Sequence, residues 1–253
     1  MKWSQRDSNE NLLIELFTSA DQMGRASVDE LILRADELLP ELKQLVMDRH
    51  AWQAAVPEWW APVHATYILG AIGGERVVTA LLSALRWSDA FDNDWVTEVL
   101  PAIFGSLGEV ARIPLEHVLA DESAGIGARG LALDGLAAQS LWHPQLETIN
   151  MPKIISLFRS RKIALELRLA AASILLDFRY RDLRDELISF VELDAKQHLQ
   201  HMDLLTLSAD KIDAELAQTF RAETYYKHDW LSFYDSAKVT QRLLIESAPR
   251  VLH

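Results

Sequence analysis

Apolar residues recur at intervals of three or four along most of this chain, and the breaks between runs fall at glycine and proline. Leu12, Leu13, Leu16 and Phe17 share one face of a helix predicted over 8–20, with Ser8 or Asn9 as its cap and Gly24 as its break. Ser27 and Glu30 have the spacing of a capping box, and Leu31, Ile32, Ala35 and Leu38 follow at helical intervals. Pro40 stands at the next predicted start, ahead of Leu42, Leu45, Val46 and Ala51. Pro62 suits the first turn of a helix over 62–71. Gly73-Gly74 turns the chain into a partner helix over 75–86 that carries Val78, Leu81, Leu82 and Leu85. Further helices are predicted over 94–107 (broken or shortened near Pro101), from Pro114 to about 119, and over 125–138, 151–158, 162–176 and 181–194. Strand-like alternation is essentially absent, so the class is all-α.

The helices repeat as pairs. Leu69-Gly70 and Leu107-Gly108 lie 38 positions apart, and Leu136 and Leu175 lie 39 apart, the length of two helices with two loops. Leu107 to Leu136 spans only 29, so the repeat is degenerate, with three to four units across 58–193. Pro62, Ala65 and Leu69-Gly70 on one helix, with Val78, Leu81 and Leu82 on the next, carry a likeness that returns at Arg129, Ala132 and Leu136 and again at Arg168, Ala171 and Leu175. In these residues the chain resembles the HEAT-like helical repeat proteins, including the short bacterial kind found in bilin-lyase-type proteins. The resemblance covers roughly half the chain. It implies a right-handed α-α superhelix; the first 56 residues, also helical, are expected to cap the stack. It also implies a protein-binding scaffold; a few members of the family act on a bilin or on damaged DNA.

Residues 1–194 are therefore expected to form the solenoid with its cap, and 195–253 a helical C-terminal extension. Helices are predicted there over 196–208, 212–226 and 239–245. Between the last two, 225–234 packs five aromatics into ten residues, a segment that either closes a core or holds a flat ligand or peptide.

Composition narrows the function. Apolar residues make up 49% of the chain, enough for a sizeable core. No cysteine is present, which removes disulfides, thiol nucleophiles and thiolate metal sites. The start lacks the apolar core of a signal peptide and no run of 18 apolar residues occurs, so a cytoplasmic protein without a membrane span is expected. Net charge is −12 and unevenly spread: 20 acidic against 9 basic residues lie within 1–126. Between 150 and 184, eight Lys or Arg face three acids. Overall acidity opposes nucleic-acid binding, which needs a cationic footprint.

Candidate chemistry is sparse. Asp194, His198 and His201 share a helix face at i, i+4 and i+7, but no HExxH pattern accompanies them and no metal or cofactor is expected. Asp121-Glu122 offers carboxylates without an evident partner, and the glycines within 125–130 lack phosphate-loop spacing. No catalytic residue stands out. The expected partner-binding set is Trp59, Trp60, His64, Trp87, Asp92, Asp94 and Trp95, an acidic and aromatic groove suited to a protein or basic peptide. The alternative is an enzyme on the same scaffold, a small-molecule lyase or a nucleic-acid repair activity.

Overall fold

A computed structural model describes residues 8–194 and 208–247. These form helices and connecting turns, with no strand among the described residues. In chain order the helices are α1 (Asn9–Thr18), α2 (Arg25–Leu33), α3 (Ala35–Met47), α4 (Trp60–Ile72), α5 (Glu75–Ala90), α6 (Asp94–Thr97), α7 (Leu100–Leu107), α8 (Glu109–Ala120), α9 (Ile126–Trp142), α10 (Glu147–Arg159), α11 (Leu165–Asp177) and α12 (Arg184–Ser189). A π-helical turn, Phe190–Asp194, follows. Beyond it come α13 (Ala209–Ala217), a 3-10 turn at Trp230–Tyr234 and α14 (Ser236–Ser247). The helix expected over 196–208 lies almost wholly outside the described residues.

Ser8 caps α1 as its side chain allows, its Oγ accepting from the Asn11 N–H at 3.2 Å. Ser27 does not cap α2. It is the third residue of that helix, and its hydroxyl donates to Glu15 on α1 at 2.8 Å. Proline caused a systematic misplacement. Pro40 and Pro114 are not helix starts, and the helix expected over 151–158 begins at Glu147: Pro40, Pro114 and Pro152 are each the sixth residue of their helix, α3, α8 and α10. Pro40 and Pro152 face solvent, where the carbonyl that loses its N–H partner reaches water. Acidic side chains in the first turns (Asp36 and Glu37, Glu109, Glu147) support the true starts five residues earlier. Pro101, by contrast, sits at the second position of α7 and separates it from α6.

The first helices of successive pairs stack on one another, α4 on α7, α7 on α9 and α9 on α11, while α3, α5 and α8 form a second row. Small residues set the spacing. A Cβ at Gly70 would meet Ile103 at 2.9 Å, and one at Gly105 would meet Trp142 at 2.5 Å and Ala138 at 2.9 Å. Two arginines make equivalent bonds on α9 and α11. Arg129 Nε donates to the Leu119 carbonyl at 2.9 Å, and Arg168 Nε donates to the Phe158 carbonyl at 2.9 Å. Each arginine thus satisfies an orphan carbonyl in the last turn of the preceding helix, where a cation also suits the helix dipole.

The C-terminal residues bury their apolar side chains in the same cores. Ile212, Leu216 and Tyr226 pack with α9 to α12, whereas Trp230, Phe233 and Tyr234 pack with α1 to α9. Helix α13 ends at Ala217, not at 226. From there the chain runs back as a strap across the first-helix row, from α11 towards α1. Ala222 N–H bonds the Asp177 carbonyl at 3.0 Å, Trp230 Nε1 the Tyr67 carbonyl at 3.1 Å, and Arg242 the Asp21 carbonyl at 2.7 Å.

Candidate functional site

Helix α4 sets one end of the face beneath the strap. Trp60, His64 and Tyr67 fall at i, i+4 and i+7 and line up on one side of it. Phe233 lies 5.9 Å from Trp60, 5.7 Å from Tyr67 and 5.7 Å from Trp95, and Tyr234 lies 5.6 Å from His64. The Arg242 guanidinium stacks 3.9 Å over Phe233. His64 bonds the Ala20 carbonyl through Nε2 at 2.6 Å and the Tyr234 hydroxyl through Nδ1 at 2.9 Å. A carbonyl only accepts, so Nε2 carries the proton and Nδ1 accepts from Tyr234. Burial pushes the His64 imidazole down to about 4, which keeps it neutral near pH 7.

The expected partner-binding residues divide by position. Trp60 and His64, 8% and 0% exposed, lie beneath the strap and present little or no surface to a second molecule. Trp59 packs edge-on against Trp60 at 5.3 Å and is half-buried. Trp95, 42% exposed, leans on Trp60 at 5.3 Å. Asp92 and Asp94 are exposed beside it, and so is Glu98. None of these three carboxylates has a basic partner among the described residues. Trp87 lies apart. Helix α5 runs four residues past its predicted end and carries Trp87 to a stack with Phe91 at 6.0 Å, with the Arg49 guanidinium over both rings. The nominated tryptophans therefore form two groups.

Asp89, in the last turn of α5, explains the glycines at 125 and 127. Its carboxylate lies where a Cβ at either position would stand, at the N-terminus of α9, where a negative charge is favoured.

At the other end of the strap lies a cleft of about 440 Å³, lined by Asp134, Ser173, Asp177, Thr224, Tyr225 and Tyr226 among others. Tyr225 donates to Asp134 Oδ2 at 3.1 Å and Tyr226 to Asp177 Oδ2 at 2.8 Å. Trp142 Nε1 donates to the Tyr226 carbonyl at 2.9 Å. Burial pushes the Asp134 carboxyl up to about 7 against the pull of the Tyr225 bond, and the Asp177 charge adds to the rise. Burial also raises Asp177. Both tyrosine hydroxyls are pushed up, first by burial and then by the carboxylates. A carboxyl held near half-protonation at neutral pH is equipped to give or take a proton. The sequence reading passed over this pair, although Asp134 interrupts the apolar run Leu131-Ala132-Leu133 and Leu136, which is the one visible signal.

The basic segment is largely neutralised. Arg159 pairs with Glu186, Arg161 and Arg168 with Asp194, Arg179 with Glu215 and Arg184 with Asp213. Asp194 is thus engaged by arginines, and His198 and His201 lie outside the described residues. Asp121 pairs with Arg86. Among the described residues no group of three or more His, Cys, Asp or Glu is placed to hold a metal, and no helix is long and apolar enough to cross a membrane. Neither a protein-family model, nor a curated protein, nor a solved structure matches this chain.

Proposed function

We propose that this chain is a cytoplasmic protein-binding scaffold, a right-handed HEAT-like solenoid related to the bilin-lyase-type repeats, that takes a basic peptide or protein segment along the Trp95 edge. The equivalent bonds of Arg129 and Arg168 and the stacking of α4, α7, α9 and α11 support the repeat reading. The observation that carries the binding reading is Trp95. It is an exposed indole held in place by buried Trp60 and Phe233, with Asp92, Asp94 and Glu98 unpaired around it. An arginine or lysine stacks on such a ring and meets carboxylates that no internal cation neutralises. A nucleic-acid partner is disfavoured by the net charge of −12 and by the paired arginines of 159–184.

The test is a peptide array scored by fluorescence anisotropy, with arginine- and lysine-rich sequences against acidic and neutral ones. Basic peptides should bind, more weakly at high salt. Trp95→Ala should cost at least about 1.4 kcal/mol, tenfold in Kd. Equal binding by wild type and Trp95→Ala, or no preference for basic sequences, would refute the proposal.

A further inference from the structure

The cleft beside Tyr225 repeats the chemistry of the Trp95 edge further along the first-helix row. Helix α9 supplies Asp134, and α11 supplies Ala170, Ser173 and Asp177 at i, i+3 and i+7, on one side of that helix. The Tyr225 ring, 41% exposed and edge-on to Tyr226 at 5.2 Å, gives the cleft an aromatic wall. The two tyrosine hydroxyls engage Oδ2 of Asp134 and Oδ2 of Asp177 and so hold both carboxylates in position. The Oδ1 atoms, and the Ser173 and Thr224 hydroxyls that line the same cleft, have no hydrogen-bond partner among the described residues. Both aspartates are half-buried, and neither has an ion-pair partner among the described residues. The nearby cations are committed elsewhere. Arg179 acts on Asp177 only as a formed pair with Glu215, and Arg221 is held by Glu147. The cleft, of about 440 Å³, thus combines free acceptors, an aromatic face and uncompensated negative charge, with room for one long side chain.

We propose that this cleft is a second anchor for the basic segment: one cationic residue stacks on Trp95, and another enters between Asp134 and Asp177 against the Tyr225 ring. The inference rests on the scaffold reading and adds to it a requirement for two basic residues at a set spacing. An arginine or lysine supplies the N–H donors that the free carboxylate oxygens and hydroxyls accept, and its charge offsets the paired acids. The two anchors lie on one surface. Phe233 of the strap touches Trp95 at 5.7 Å, and Tyr225 stands eight positions earlier on the same strap. Glu98, beside Trp95, acts electrostatically on Tyr225. Helix α7 follows Trp95, α9 packs on α7, and α11 packs on α9. Packed helices lie about 8–10 Å apart and an extended peptide rises about 3.3 Å per residue, so basic residues roughly three to six positions apart reach both anchors.

The test is fluorescence anisotropy with the full chain and labelled peptides of equal length. One set carries two arginines at varied spacing in an otherwise neutral sequence; the control has glutamine in place of the second arginine. Wild type should bind the best-spaced pair roughly tenfold more tightly than the control. Asp134→Asn and Asp177→Asn, made together, keep an acceptor for each tyrosine and should erase that gain while the control peptide binds as before. Ser173→Lys, at an exposed position of α11, puts a fixed cation in the cleft and should erase the gain without altering either carboxylate. Trp95→Ala should weaken both kinds of peptide alike. The proposal is overturned if the second arginine adds less than about twofold at every spacing, or if its gain survives the paired Asn substitutions or Ser173→Lys. Control binding that depends on Trp95, with no gain from a second arginine, removes the second anchor and leaves the scaffold reading standing. Absence of binding by every basic peptide removes both.

Discussion

Phe233→Ala tests whether the strap is an integral part of the core. The ring is 9% exposed and lies 5.1–5.9 Å from Trp60, Tyr67, Trp95 and Tyr234, with Arg242 stacked above it. Truncating a buried phenylalanine costs about 3–5 kcal/mol. Loss of the cation–π contact adds about 0.5–2 kcal/mol. Trp95 forms one wall and is itself 42% exposed, so the cavity can collapse or admit water, which holds down the cavity term. The balance is a loss of about 3–4 kcal/mol. For a chain of this size that lowers Tm by roughly 6–16 °C. Urea denaturation followed by far-UV circular dichroism gives the free energy, provided that fluorescence reports the same transition. A second cycle with Trp60→Ala should show coupling of about 0.5–1.5 kcal/mol. A loss below about 1 kcal/mol, the scale of a surface contact, or strict additivity with Trp60→Ala, would refute the assignment of the strap to the core.

Three further outcomes are expected. Gly105→Ala should destabilise by about 1–3 kcal/mol through overpacking against Trp142 and Ala138, visible as a lower urea midpoint at unchanged slope. Arg129→Ala should cost about 1.5–3 kcal/mol by stranding a helix-end carbonyl; Arg168→Ala should cost more, because it also removes the Asp194 pair and the stack on Phe190, and the reverse order would contradict the packing. The pH dependence has two opposed parts. Asp134 is raised when folded, so its contribution is present at low pH and lost as pH rises through about 7. His64 is lowered when folded, so its contribution is present above 6.5 and lost as pH falls towards about 4. Wild-type stability should therefore change little between pH 7.5 and 5.5, while Asp134→Asn, left with the His64 part alone, should lose roughly 1 kcal/mol on acidification.

The helical class was legible because apolar spacing and glycine breaks are local signals. Val77 to Leu85 of α5, and Leu131 to Leu141 of α9, declare their buried faces within a few turns of chain. Arg129 and Arg168 stand out in the sequence by their matching neighbours, but their capping role does not, since the carbonyl each one reaches belongs to the preceding helix. Pro40 and Pro114 misled for a physical reason. Proline is tolerated at a first turn by local geometry alone, but inside a helix only where solvent can satisfy the carbonyl left unpaired, and that depends on which side faces out. Trp59, Trp60, Trp87 and Trp95 looked alike in the sequence. The rotation of α5 carried Trp87 to Arg49 and Phe91, while the strap buried Trp60 and left Trp95 exposed.

What the sequence by itself determined is the helical class, most of the helices and the glycine breaks between several of them, because propensity and periodicity act within a few residues. Tertiary structure alone decided that residues 218–242 return across the first-helix row, that Asp134 meets Tyr225 91 positions away, and that His64 is sealed by Tyr234 170 positions away. Those contacts come from burying an aromatic segment that lacks a helical face of its own. Many apolar surfaces could receive such a segment, and only the assembled stack shows which one fits it and which carboxyls its tyrosines meet.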